Sequence, residues 1–494
     1  MNRIRTVSLI ALLSLLTGCA GLPPALPPPP ALRGDAPLRG LPSTTQAAWP
    51  TADWWRDFDD AQLDALMQQA LRSSPDLAAA RARVRAAVAL AGLDAAAQRP
   101  HIGASADLTR QRLSENGLIP PRFLGFTWYT QSDLGAQLEY SFDFWGKQHA
   151  QLASRIDDVR AARAEAQAVR LGLTTAIASA YFAWQTDQAQ LRDADALVKL
   201  QQQLHELSAA RVRQGLDPED LSADARLRWA QANAQREELA GITQMQRAVL
   251  AALVGVAPAQ LPPLQPRPLP AVSAALPHDA RLQLLARRPD LVALRWQVEA
   301  MGEQVRAARA SFLPNLSLGA MAGFSSIDTS KALALGSRVF DVGPALSLPL
   351  FDGGALKARY GYSVAQLDAA AARYNQAVLD AAREVGVAVL DLQRLDAQRA
   401  SQQRALMASA ELSSQAAARL RQGLTDAAPT IASEASLIAL HATLTALHGQ
   451  QLAAEIALIQ ALGGGYADSD RTMEPSTATT TSPTVPAHVP DAMP

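Results

Sequence analysis

One cysteine, Cys19, is present in 494 residues, so no disulfide can form within the chain. Neither sign of charge is in excess: 45 Lys plus Arg stand against 46 Asp plus Glu. Nucleic acid is excluded as a partner class, because binding it requires a basic footprint that neutralises phosphates. Aromatic residues make up only 5% of the chain, while alanine is abundant, a composition that suits helices packed at close range. No uninterrupted apolar run reaches the ~18 residues that a membrane helix needs. The run from Val7 to Leu16, behind Asn2, Arg3 and Arg5, is shorter than that and reads as an export signal. If the chain crosses a membrane, it does so as strands. Catalytic signatures are missing as well. No Gly-x-Ser-x-Gly elbow occurs, and Gly463-Gly-Gly465 lacks the Lys-Ser/Thr of a phosphate loop and more simply ends a helix. The seven histidines are scattered. His441 and His448, the one pair near helical spacing, have no cysteine or paired carboxylate to complete a metal site. Tyr181, Phe182 and Trp184 read as packing. Neither enzyme activity nor a cofactor is expected.

What is present is present twice. Ser73-Ser-Pro-Asp-Leu77 recurs as Arg287-Arg-Pro-Asp-Leu291, and Pro100 recurs as Pro314, both at an offset of 214. Phe144-Trp-Gly matches Phe351-Asp-Gly at an offset of 207, and Arg211-x-Arg-Gln-Gly-Leu216 matches Arg419-x-Arg-Gln-Gly-Leu424 at 208. The landmarks keep their order, so each half is one structural unit used twice.

Trp54-Trp55-Arg-Asp-Phe58 precedes Leu63, Leu66, Ala70 and Leu71, whose spacing predicts a short amphipathic helix. A second helix is expected over 76–98 and stops before Pro100; its counterpart over 290–312 stops before Pro314. Residues 147–214 hold no proline and one glycine, Gly172, with apolar residues at steps of three and four. Such a helix would be about 100 Å long at ~1.5 Å per residue, too long to fold inside a compact domain. A similar rod is expected over 356–422, and each rod is followed by a further helix, over 219–254 and about 430–462. The helices before the strands and after the turn, stacked nearly end to end, would line one rod along most of its length. Glycine at each reversal fits a left-handed helix C-terminus.

Between Pro100 and Phe144 the period becomes two. Leu134, Ala136, Leu138, Tyr140 and Phe142 alternate with Gly135, Gln137, Glu139, Ser141 and Asp143, and Ile102, Ala104, Ala106 and Leu108 alternate with Ser105, Asp107 and Thr109. In the second half Leu316, Leu318, Ala320 and Ala322 form one apolar face and Leu346, Leu348 and Leu350 another. This is the pattern of membrane barrel strands. Four strands cannot close a barrel, and open edges are not tolerated in lipid, so several chains must share one barrel. The expected organisation is a signal over 1–18, a Pro-rich tether over 19–50, a first repeat over 51–255, a Pro-rich linker over 256–278, a second repeat over 279–465 and a disordered tail over 466–494.

Leu16-Thr-Gly-Cys19 resembles a bacterial lipobox, which implies a covalent lipid on Cys19; Ala20 behind it implies outer-membrane destination. With Trp54-Trp55 and Phe58, Pro75-Asp-Leu77 and Pro289-Asp-Leu291, Phe351-Asp-Gly-Gly354 and the paired Arg-x-Arg-Gln-Gly-Leu turns, the chain resembles the TolC-type outer-membrane factors, specifically the NodT-like efflux lipoproteins. The resemblance spans about residues 19–465. It implies a mainly α fold with a membrane β-barrel part: a homotrimer whose four strands per chain form a twelve-stranded barrel in outer-membrane lipid, above a periplasmic tunnel of coiled-coil-like helices. It also implies a passive duct for drugs and toxic compounds, docked by a periplasmic adaptor and fed by an inner-membrane pump of the resistance-nodulation-division type. The adaptor would contact Arg211, Arg213, Gly215, Leu216, Arg419, Arg421, Gly423 and Leu424. Family members often carry Asp-Ala-Gln-Arg after the second turn, but here Ala432-Ser-Glu-Ala435 stands instead. Asp426 and Glu434 are then the nearest carboxylates able to ring the tunnel's constriction. A structural envelope lipoprotein and a protein-secretion channel are the alternative functions.

Overall fold

The computed structural model describes residues 24–42, 47–116, 120–273 and 275–467. The signal, Cys19 and nearly all of the expected tail lie outside those residues.

Each repeat opens with a pair of helices broken by a proline. In the first, α1 (Ala61–Ser73) is capped by Asp60, whose carboxylate accepts from the backbone N–H of Gln62 and Leu63. It buries Leu63, Leu66 and Ala70 of the face read from the sequence together with Met67, while Leu71 is only partly buried. Helix α2 (Pro75–Ala97) starts on Pro75 with Ser74 accepting from Leu77 N–H, so Ser-Pro-Asp-Leu is a helix start in which proline occupies the one turn that needs no donor. Strands β1 (His101–Arg112) and β2 (Trp128–Phe142) follow, then the rod α3 (Lys147–Arg213) and the returning helix α4 (Glu219–Val254). The second repeat runs α5 (Ala280–Arg287), α6 (Pro289–Ala310), β3 (Asn315–Ser326), β4 (Arg338–Ser347), α7 (Ala355–Arg421) and α8 (Ala428–Ala461). Both rods have 67 residues, about 100 Å at ~1.5 Å per residue. Here Arg288 takes the place of Ser74 and binds Asp290 at 2.6 Å and Glu384 at 2.6 Å.

The broken helices line the rods. Helices α2 and α4 both pack on α3, and α4 ends beside the break between α1 and α2, where Ser73 Oγ at the end of α1 donates to the Val254 carbonyl at 2.9 Å. Helices α6 and α8 lie between α3 and α7, and Arg288 Nη1 reaches the Ala461 carbonyl at 3.4 Å. Helix α8 carries an 18-residue window of mean hydropathy 1.3, enough by length and composition to cross a membrane. Only 17% of that window is buried within the single chain, whereas the C-terminal part of the helix packs against the rods and buries Leu452, Ile456 and Leu458.

Two cores sit at the level of the helix breaks. One gathers Trp54, Trp55, Leu63, Ile177, Tyr181, Trp184 and Leu250; the other gathers Leu284, Leu291, Tyr374, Val378, Val385 and Leu458. Beyond α8, Gly463, Gly464 and Gly465 all have positive φ, and a Cβ on them would fall within 1.9–2.1 Å of Arg287, Leu171 and Thr51. The triple glycine therefore ends α8 and lets both repeats close over it. The Pro-rich stretch 24–42 is extended and laid against the second repeat, with Ala36 and Leu38 buried in its core.

The four strands form one antiparallel sheet in the order β1-β2-β3-β4, and the β2–β3 pairing joins the two repeats. Strand β4 corrects the sequence reading. Leu346 belongs to it, but Leu348 and Leu350 lie beyond its end at Ser347, and the strand begins at Arg338. Pro349 has no N–H for a ladder. The true apolar face is Phe340, Val342, Pro344 and Leu346, hidden in sequence by the Gly343-Pro344 pair, which reads as a turn.

Candidate functional site

The site has two parts, a wall made of strands at one end of the rods and a pair of turns at the other. In the wall, register decides everything. Ile102 pairs with Leu138, Ala104 with Ala136 and Ala106 with Leu134. Leu134 pairs with Phe324, Ala136 with Ala322, Leu138 with Ala320 and Phe142 with Leu316. Ala320 pairs with Val342, Ala322 with Phe340 and Leu316 with Leu346. Directly paired residues share a face, so one side of the sheet is a continuous apolar band. It is left uncovered: Phe340 is 82% exposed and Val342 73%. An apolar face this large on an otherwise packed chain is made for hydrocarbon. Aromatic residues mark both margins, with Trp128 at the far end and Phe142, Phe144 and Trp145 near the rods. Phe142 and Phe144 stack at 5.7 Å, and Trp145 Nε1 donates to the Pro314 carbonyl at 2.7 Å. Such belts sit where a membrane meets water.

Charge is sorted across the sheet without exception. Asp107, Asp133, Glu139 and Asp341 all lie on the polar face, while Arg110, Arg112 and Arg338, the only basic strand residues besides His101, lie on the apolar face. Asp107 and Asp133 are direct cross-strand partners. Like charges so placed cost stability, and Asp133 is supported by Ser325 Oγ at 2.6 Å and Gln131 Nε2 at 3.2 Å. Strands β1 and β4 each have a free edge within the chain.

At the opposite end the rods reverse through two turns with the same hydrogen bonds. Gly215 N–H donates to Val212 and Leu216 N–H to Arg211; Gly423 N–H donates to Leu420 and Leu424 N–H to Arg419. The glycines have φ of 69° and 70°. This paired bonding, with a left-handed residue after the helix, is the Schellman closure, and it explains why Gln-Gly-Leu is repeated. Leu216 is 62% and Leu424 72% exposed. Arg213, Arg419 and Arg421 are exposed and make no ion pair among the described residues.

Arg211 behaves differently from its counterpart Arg419. Its Nε and Nη2 donate to the two carboxylate oxygens of Asp217 at 2.6 and 2.9 Å, while Nη1 lies 3.4 Å from Asp426 of the second turn. The bonds from Arg211 hold the Asp217 carboxyl below the usual carboxylate range. One guanidinium therefore ties the two turns together. Sequence reading had Arg211 and Asp426 but not their meeting, and it missed Asp217. The second turn has Thr425 where the first has Asp217, a difference visible in the alignment of the repeats. Glu434 is exposed on α8 and makes no ion pair among the described residues. His441 Nδ1 lies 2.9 Å from Asp193, and His448 Nε2 lies 2.8 Å from the Pro270 carbonyl. No group of three or more metal-ligating side chains occurs among the described residues.

Comparison with known proteins agrees with this geometry. The family model described as "Outer membrane efflux protein" matches residues 66–256 and again 281–464, one match per repeat. Multidrug resistance outer membrane protein MdtP of Escherichia coli K12 is 32% identical over 488 residues, covering 94% of this chain and 97% of that protein. MdtQ of Escherichia coli O157:H7 is 32% identical over 479 residues, covering 94% and 100%. Among solved structures, the outer membrane protein VceC of Vibrio cholerae superposes with a TM-score of 0.77 at 30% identity, covering 84% of this chain and all of that one. The outer-membrane channel OprN superposes with a TM-score of 0.79 at 29% identity, covering 90% and 99%. The chain belongs to the outer membrane efflux protein family, and it is an outer-membrane channel whose helices extend into the periplasm.

Proposed function

We propose that three copies of this chain form the exit duct of a drug-efflux assembly, conducting small molecules passively from an inner-membrane pump and its periplasmic adaptor to the exterior. The observation that carries this reading is the four-stranded sheet with two free edges and completely sorted faces. Backbone groups cannot stay unpaired in hydrocarbon. Pairing β1 of one copy with β4 of the next removes both edges, and three copies give a twelve-stranded barrel of the size that leaves a water-filled lumen. The polar face then lines the lumen and the apolar band meets lipid. In the same assembly the two rod pairs of each chain make a six-unit tube. The low aromatic content and the alanine-rich rods favour a packed helical wall.

The turns form the tube's periplasmic tip. Exposed Leu216 and Leu424, with Arg213, Arg419 and Arg421, which make no ion pair among the described residues, offer the adaptor an apolar contact flanked by cations. Arg211, bound to Asp217 and Asp426, acts as a latch that holds the tip narrow, with Glu434 on α8 a further constriction candidate. Cys19 carries the lipid, and a resistance-nodulation-division pump is the expected engine. Deleting the gene and measuring intracellular drug accumulation tests the whole reading: accumulation is expected to rise. Unchanged accumulation, with no conductance from the purified protein in planar bilayers, would leave only an envelope strut.

A further inference from the structure

The sorting of charge leaves one group that neither a lumen nor a tip accounts for. Arg110, Arg112 and Arg338 are on the lipid side of the wall. An arginine facing hydrocarbon is costly at the membrane midplane and much less so near the interface. All three lie toward the far end of their strands, at the margin marked by Trp128. Arg110 pairs with Thr130 and Arg112 with Trp128, the last pairs of the β1–β2 ladder, and Arg338 is the first residue of β4. The helices are at the other end, so this margin is the outer leaflet of the outer membrane.

The three also differ from ordinary surface arginines in their partners. The Arg110 guanidinium carbon lies 5.9 Å from the centroid of the Trp128 ring, a stacking that orients the planar fork while leaving its donors open. Arg338 Nε donates to the Leu335 carbonyl at 2.9 Å. Neither makes an ion pair among the described residues. Arg112 has a loose one, 3.4 Å to Glu115, with both side chains more than half exposed. The nearest loop carboxylate on the second-repeat side, Asp328, is engaged by Lys331 at 3.5 Å and by Ser330. No strand on this face carries a carboxylate.

We propose that Arg110, Arg112 and Arg338 form a binding site for the phosphates of an outer-leaflet glycolipid of the lipid A class. Arginine forks match phosphate bidentately. The apolar band directly below, with Leu108, Ala106, Phe324 and Phe340, receives the acyl chains. Edge pairing between copies places Arg110 and Arg112 of β1 beside β4 of the neighbour, so each of the three seams presents a cluster and the bound lipid bridges two copies. The site rests on the barrel closing edge to edge but not on what the channel conducts.

The test uses the full-length trimer, delipidated in detergent and analysed by native mass spectrometry with bisphosphorylated lipid A, with enzymatically dephosphorylated lipid A and with phosphatidylglycerol. The bisphosphorylated lipid is expected to be retained in preference to both others. The Arg110→Gln, Arg338→Gln double variant is expected to lose on the order of tenfold in that retention, while Arg110→Lys with Arg338→Lys keeps part of it. Equal retention by the wild type and the glutamine variant, or equal retention of phosphatidylglycerol, overturns the site. Conductance of the same preparation separates the two readings: normal conductance without lipid selectivity sinks the lipid site alone, whereas absent conductance sinks the channel.

Discussion

At the scale of single residues, two charged groups on α3 show how differently one rod uses its carboxylates and arginines. Asp157 is buried where α3 meets α6, and burial, opposed by Arg160 and reinforced by Glu299 and Glu303, pushes its carboxyl up to about 6. Arg160 is itself held over the Trp296 ring at 4.5 Å, and Glu303 is paired with Arg306. A carboxyl whose folded value exceeds its unfolded one binds more protons when folded, so it weakens the fold increasingly as pH rises from about 4 to about 6. Acidification from pH 7.5 to 5 should therefore stabilise the wild type more than Asp157→Asn. At pH 7.5 the variant should gain stability on the order of 1 kcal/mol, read as a higher melting temperature at that pH and a flatter pH profile; identical profiles would refute it. Arg211, in contrast, matters for motion more than for stability. Ion pairs screened by solvent contribute little to stability, so Arg211→Ala should barely move the melting temperature. It frees the first turn from the second, and single-channel recording should show a larger mean conductance than the wild type.

At the scale of elements, the turns and the strands divide what sequence can tell from what it cannot. Gly423 has φ of 70° and its N–H donates to Leu420, whereas proline fixes φ near −65° and has no N–H. Gly423→Pro should spoil the second turn while leaving the wall and the mid-rod cores intact: trimers on a gel, but loss of drug export and of adaptor pull-down. Elsewhere the lumen face predicts selectivity. With Asp107, Asp133, Glu139 and Asp341 inside and no Lys or Arg opposite them, the barrel should favour cations. Asp107→Asn with Asp133→Asn should lower the cation-to-anion permeability ratio, measured as a reversal potential across a salt gradient. Repeats, rods, turns and three of the four strands were legible, because helix period, strand period and glycine chemistry are local. β4 was misplaced because Gly343-Pro344 imitates a turn, and only pairing with β3 reveals that it continues. The Arg211 bridge was not legible, since Asp217 and Asp426 are 209 residues apart and only the packing of the rods brings them to one side chain.

At the scale of the whole molecule, residues 24–42 form a strap laid along the second repeat, and the lipid proposed on Cys19 would be joined to the fold through it. Arg309 Nε donates to the Pro24 carbonyl at 2.9 Å, Tyr360 Oη to Ala25 at 2.5 Å and Asn375 Nδ2 to Ala31 at 2.9 Å, while Arg281 pairs with Asp35. Arg309 ends α6 just before β3, and Tyr360 opens α7 just after β4, so the strap starts at the base of the wall and runs down the second repeat. From Pro24 back to Cys19 the chain can reach at most ~17 Å. A lipid on Cys19 would thus enter the inner leaflet beside the same barrel. Two variants separate the strap's two roles. Cys19→Ala should abolish incorporation of labelled palmitate yet leave barrel insertion and trimer melting unchanged, since the strands bring their own apolar surface. Removing residues 24–38 takes Ala36 and Leu38 out of the second core and should lower the trimer's melting temperature by several degrees, the shift expected for a few kcal/mol in a chain of this size. Heat-modified gel mobility of the two variants, compared with the wild type, distinguishes a passive leash from a structural part, and equal melting of the truncated and intact proteins would make the strap a leash.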